Sequence, residues 1–186
     1  MRAMERLHEI TDGGPCTIVE VGAARNLRPH ALIDDGWATR VFAWYAAETG
    51  GRLTTIDPNR RALSCARQLT APWSAAVDYV QDAAERRLAA FGAIDLLYMD
   101  GPSDATMHRR AWDALRCRPR LVLWDDIVTP GHPVPGAPPQ KVYKQWPPPG
   151  NLPEWAVKGA LAIPAMLEDG YTVVFAVDRQ VLLGAA

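Results

Sequence analysis

Apolar runs of strand length alternate along this chain with stretches whose apolar residues recur at helical spacing. That alternation predicts a parallel sheet with crossover helices. Thr17-Ile18-Val19-Glu20-Val21 reads as the first strand, after the turn signal Asp12-Gly13-Gly14-Pro15. A helix follows from Trp37 to Glu48, apolar at Trp37, Val41, Trp44 and Tyr45, and Gly50-Gly51 ends it. Leu53 to Ile56 is the second strand, Arg60 to Leu69 a helix, and Val77 to Val80 the third strand. A charged helix is expected from Ala83 to Ala90 and another from Thr106 to Leu115. Ile94 to Met99 and Leu121 to Trp124 are almost unbroken apolar runs, as expected of central strands buried on both faces.

The C-terminal pattern differs. Tyr171 to Val177 and Gln180 to Leu183 are strands separated only by Asp178-Arg179. So short a link requires an antiparallel hairpin, because a parallel return needs a crossover of about a dozen residues. The expected fold is therefore α/β, with a Rossmann-like seven-stranded sheet. Five or six of its strands run parallel, the last belongs to an antiparallel hairpin, and helices cover both faces.

The order of acidic residues narrows the chemistry. Asp57 follows the second strand, Asp100 the fourth, and Asp125-Asp126 the fifth. Ligands of open α/β sheets bind outside the carboxyl ends of the strands, so these acids are expected to converge on one cleft. Carboxylates ending buried strands need a partner, whether a metal, a cofactor hydroxyl or a basic side chain.

The 186 residues carry a formal net charge of -1, which gives no electrostatic footprint for nucleic acid or an anionic membrane. No apolar run approaches the ~20 residues of a membrane span. Residues 1–10 read as a short amphipathic helix without the apolar stretch of a secretory signal. Cys16, Cys65 and Cys117 form no CxxC pair and are read as reduced thiols of a cytoplasmic protein. Residues 1–186 are expected to form a single domain. Its one biased segment is a loop at 129–153 that holds nine of the sixteen prolines. That loop is either a solvent-exposed connector or an arm covering substrate or a second subunit, a homodimer contact through Lys141, Tyr143, Lys144 and Trp146.

Strand order, the acid after strand two and the terminal hairpin together resemble a class I S-adenosylmethionine-dependent methyltransferase, over roughly Thr17 to Leu183. Glu20-Val21-Gly22 resembles the start of that family's glycine-rich turn, where a missing side chain lets the backbone approach a ligand. Ala24 and Asn26 stand where later glycines are usual, and Asn26 to Asp35 looks like an insertion. Gly36, Trp37 and Thr39 then complete the turn and open the helix. The resemblance implies that Glu20, Gly22, Ala23, Gly36, Trp37, Thr39, Asp57, Asp82 and Asp100 bind the cofactor. Asp57 would accept from the ribose hydroxyls and Asp82 from the adenine amine. Helix capping is the other role open to each of these two acids.

The fourth and fifth strand ends resemble the metal-dependent, catechol-type small-molecule O-methyltransferases. The resemblance implies that Asp100, Asp125 and Asp126 ligate Mg²⁺ or another divalent cation, which would hold the acceptor's oxygens. Those enzymes carry a lysine three residues after the strand-four acid, and this chain has Ser103 there. Asp100, Ser103 and His108 are the catalytic candidates, with Asp104 or metal coordination alone as substitutes for the lysine. His108 also reads as an exposed helix residue. The expected function is metal-assisted O-methylation of a small-molecule hydroxyl. The alternatives are a catalytically degenerate binding protein with this fold, or a methyltransferase acting on another acceptor without metal. A nicotinamide-dependent oxidoreductase is disfavoured, because no G-x-G-x-x-G follows the first strand.

Overall fold

Central-strand residues sort into two apolar layers by simple alternation. Ile18, Leu96, Tyr98, Leu121 and Leu123 face one layer, and Val19, Leu97, Met99, Val122 and Trp124 face the other. Successive side chains of a strand point to opposite faces, so the central strands of a sheet covered on both sides are apolar at most positions. The computed structural model describes residues 2–27, 37–101, 104–125, 158–159, 161–177 and 180–186.

The strands are β1 (Thr17–Val21), β2 (Arg52–Ile56), β3 (Val77–Val80), β4 (Leu96–Met99), β5 (Leu121–Trp124), β6 (Tyr171–Val177) and β7 (Gln180–Ala185). They form one seven-stranded sheet in the order β3-β2-β1-β4-β5-β7-β6. All pairings among β1 to β5 are parallel, whereas β7 runs antiparallel to both of its neighbours. The hairpin thus folds back so that its second strand, not its first, joins β5.

Six helices are described: α1 (Arg2–Ile10), α2 (Trp37–Thr49), α3 (Arg60–Leu69), α4 (Ala84–Arg87), α5 (Ala105–Asp113) and α6 (Ala162–Glu168). Helices α1 and α2 cover one face through Ala3, Leu7, Phe42, Ala43 and Ala46. Helices α4, α5 and α6 cover the other through Ala84, Ala111, Ala162, Ile163 and Met166. Asn59 caps α3 by accepting from the Arg61 amide, and Asp104 caps α5 by accepting from Thr106 and Met107. A side-chain acceptor there satisfies amides that have no partner within the helix.

Three local expectations change. The buried face of α2 is Phe42, Ala43, Tyr45 and Ala46, while Trp44 is turned outward and 46% exposed. Alanines at the contact let the helix backbone approach the sheet closely, which a tryptophan would prevent. The charged helix expected to reach Ala90 breaks after Arg87 into a 3₁₀ turn, Leu88–Ala90. The fourth strand begins at Leu96, although Ile94 is buried ahead of it. The proline-rich loop at 129–153, with Lys141, Tyr143, Lys144 and Trp146, lies outside the described residues. No described helix is long and apolar enough to cross a membrane.

Candidate cofactor and acceptor site

The sheet order reverses between β1 and β4, and the crevice between their carboxyl ends is where α/β sheets bind ligands. Backbone contacts build this crevice first. Asp100 donates its amide to the Val21 carbonyl, and Gly22 donates to the Ile56 carbonyl, so the turn after β1 is held from both sides. Gly22 has φ +94, and a Cβ there would stand 2.3 Å from the Asp100 carbonyl oxygen. Only glycine fits, for conformation and for space. The glycine expected at this turn is therefore placed by the closeness of β4.

Asp57 holds the next part of the turn. Its Oδ2 accepts the Ala23 amide at 3.0 Å and its Oδ1 accepts the Asn59 amide at 2.7 Å. Asn59, two residues on, does the capping that Asp57 was a candidate for. Each carboxylate oxygen has a second lone pair, so Asp57 keeps acceptor capacity for a ligand hydroxyl. A cavity of about 230 Å³ opens beside it, lined by Gly22, Arg25, Asp57, Ala83, Asp100, Gly101 and His108 among others.

Glu20 and Thr39 sit behind the turn and bond to each other. The Thr39 hydroxyl donates to Glu20 at 2.8 and 2.9 Å and accepts the Ala24 amide at 3.2 Å. Burial pushes the Glu20 carboxyl up to about 8; the Thr39 hydroxyl pulls it back in part, and the charges of Asp100 and Asp57 add to the rise. Ala23 is buried at the same turn. Trp37 opens α2. Gly36 lies outside the described residues. Asp82 accepts from the Ala83 amide at 2.8 Å and from Arg86, beside Ala83 and Ala84 of the cavity wall.

Towards α5 the sequence expectations separate. His108 is not exposed: it is 2% accessible, lines the cavity, and packs its ring edge-on to Trp124 at 5.4 Å. Helix α5 is turned so that this position faces Gly101, where the absence of a side chain makes room for the imidazole. Asp104 is committed as the α5 cap, and Ser103 lies outside the described residues. Trp124 is wholly buried in the core and does not line the cavity.

The residue that sequence reasoning missed is Lys158. Its side chain is 2% exposed, and its Nζ lies 2.5 Å from Asp100 Oδ1. Taking an ammonium out of water costs several kcal/mol, so it is tolerated at this depth only against a carboxylate. No local signal marks it, because 58 positions separate it from Asp100. Arg25 at the cavity rim was missed too, within a turn read only for its glycines.

Two members of the expected cation set have other partners here, and the third is not described. Asp100 is paired with Lys158, Asp125 Oδ2 accepts the Tyr98 hydroxyl at 2.7 Å, and Asp126 lies outside the described residues. Among the described residues no group of three or more His, Cys, Asp or Glu side chains could hold a metal ion. Burial raises the Tyr98 phenol well above its ordinary value, with the charges of Asp100 and Asp125 adding to the rise, so it stays a donor.

No protein-family profile matches the chain, and no curated protein matches it by sequence. Solved structures do match by shape. The N-methyltransferase NodS from Bradyrhizobium japonicum WM9 is similar at a TM-score of 0.54 and 16% identity, over 100% of this chain and 96% of that one. A methyltransferase from Geobacter sulfurreducens is similar at a TM-score of 0.52 and 15% identity, over 100% of this chain and 79% of that one. At such identities the likeness is one of fold. The seven-stranded Rossmann-like sheet expected from the sequence is the sheet of solved methyltransferases.

Proposed function

We propose that this chain is an S-adenosylmethionine-dependent methyltransferase acting on a hydroxyl of a small molecule. The observation that carries the reading is the cavity at the β1–β4 switch, with the Gly22 turn, Asp57 and Asp100 on its walls. When bound, S-adenosylmethionine supplies a methyl group activated on a sulfonium. The chain's own residues do the rest. Asp57 accepts from the ribose hydroxyls, and Asp82 accepts from the adenine amine at the rim beside Ala83. The glycine turn leaves room for the cofactor's amino-acid end, and Glu20 with Thr39 keeps that turn in place. Asp100, held by Lys158, forms part of the wall of the cavity beside that turn.

His108 is placed to act as general base, being the ionisable side chain of α5 on the cavity wall. The acceptor oxygen attacks the methyl carbon, the O–C bond forms as the S–C bond breaks, and the hydroxyl proton passes to the imidazole. Positioning of two oriented partners supplies most of the acceleration in such a transfer, and a base adds about 10²–10⁴-fold. No step is routed through the divalent cation of the catechol-type resemblance, because Asp100 and Asp125 are engaged by Lys158 and Tyr98.

The test is calorimetric titration with S-adenosylhomocysteine, on the parent and on Asp57→Ala. Saturable one-to-one binding, weakened in the variant, is expected. A parent that binds none would overturn the reading in favour of a partner-binding protein that keeps only the fold.

A further inference from the structure

The pair Lys158–Asp100 has a position that core packing alone does not require. Asp100 ends β4 beside the Gly22 turn and lines the cavity, and Lys158 enters from the segment leading into α6. Three carboxyl groups, Glu20, Asp57 and Asp100, crowd this end of the sheet closely enough that the last two raise the proton affinity of the first. With Glu20 raised to about 8 by burial, Asp57 and Asp100 are the acids of this cluster that call for positive charge. The resemblance drawn from the strand-four and strand-five acids places a dication there. The structure instead brings an ammonium to the first of those acids, 2.5 Å from Asp100 Oδ1 and almost sealed from solvent.

A dication bound at Asp100 would have to displace this ammonium or lie within a few ångströms of it. Displacement breaks a buried ion pair, and coexistence sets like charges side by side in a poorly solvated place. The second acid is engaged too, because Asp125 holds the Tyr98 hydroxyl.

Resting on the methyltransferase reading, we propose that Lys158 is the resident cation of this site: its ammonium takes the place at Asp100 that a divalent metal takes in the catechol-type enzymes, and it keeps that metal out. Lys158 is a positioning residue. It holds Asp100 in place and balances its charge, so the cavity takes the methyl donor without added metal.

The decisive measurement is calorimetric titration of the whole chain with Mg²⁺ alone, beside S-adenosylhomocysteine titrations in EDTA and in Mg²⁺. The parent is expected to show no saturable Mg²⁺ binding and the same S-adenosylhomocysteine affinity in both buffers. Lys158→Met leaves Asp100 without its ammonium and is expected to gain Mg²⁺ affinity by at least about tenfold, seen also as a Mg²⁺-dependent rise in melting temperature. A merely structural lysine would not produce that gain. Lys158→Gln, which keeps a hydrogen bond without the charge, replaces Lys158→Met if that variant does not fold. Saturable Mg²⁺ binding by the parent overturns the proposal, as does a folded Lys158 variant that stays indifferent to Mg²⁺. Loss of S-adenosylhomocysteine binding in every buffer is a different result: it removes the methyltransferase reading, while the Mg²⁺ titration still reports on Lys158.

Discussion

The Thr39 hydroxyl lies 2.8 and 2.9 Å from the two oxygens of the Glu20 carboxyl, and both residues are buried. This contact ties the end of β1 to the first turn of α2. It also gives the fold a pH dependence of definite sign. Glu20 titrates near its ordinary 4.5 when unfolded and at about 8 when folded. Between those values the native state holds the extra proton, so raising the pH favours unfolding. The contribution is fully present below about 4.5 and is lost by the time the pH has passed about 8. One proton limits the slope to about 1.4 kcal/mol per pH unit. Glu20→Gln is expected to flatten it, which thermal melts across that window would show. An unchanged slope in the variant would assign the pH dependence to other groups.

Gly22→Ala places a methyl group 2.3 Å from the Asp100 carbonyl oxygen, at a φ of +94 that alanine disfavours. Neither neighbour is a flexible side-chain end, so backbone must move. A stability loss of about 2–4 kcal/mol is expected from strain and displacement together. Denaturant melts would measure it, and S-adenosylhomocysteine binding should fall with it, because the turn and the end of β4 shift as one.

Asp57→Ala removes the acceptor for two amides, Ala23 and Asn59, and the proposed ribose contact. Hydrogen bonds to a charged acceptor are worth about 1.5–3 kcal/mol each, less what water recovers at the opened site. The fold should survive with a lower melting temperature. Affinity for S-adenosylhomocysteine is expected to drop by at least about tenfold. Asp57→Asn should lose less stability, since its carbonyl oxygen still accepts one of the amides.

His108→Asn tests the base. Because the imidazole is buried between Gly101 and Trp124, the substitution costs some packing, but it leaves Asp57 and the Gly22 turn chemically unchanged. Binding of S-adenosylhomocysteine should stay near parental. With an acceptor in hand, kcat is expected to fall about 10²-fold or more. A parental kcat would move the proton to water or to the acceptor's own ionisation.

The alternation of apolar runs and helical stretches by itself determined the sheet, its parallel core and its antiparallel end. The physical reason is that strands buried on both faces are apolar at most positions, and a two-residue link cannot return a chain parallel. It also determined that acids stand at the carboxyl ends of β2, β4 and β5, because strand ends are legible wherever an apolar run meets an acid. Only the tertiary structure decided what those acids meet. Whether Asp57 caps a helix or holds a turn depends on where the Ala23 and Asn59 amides fall. Whether His108 is exposed depends on how α5 is rotated against Gly101. Whether Asp100 meets a metal or an ammonium depends on a lysine 58 positions away, brought back over β4 by the segment that enters α6. Pairings across such distances are set by packing of whole elements, and no local spacing in the chain records them.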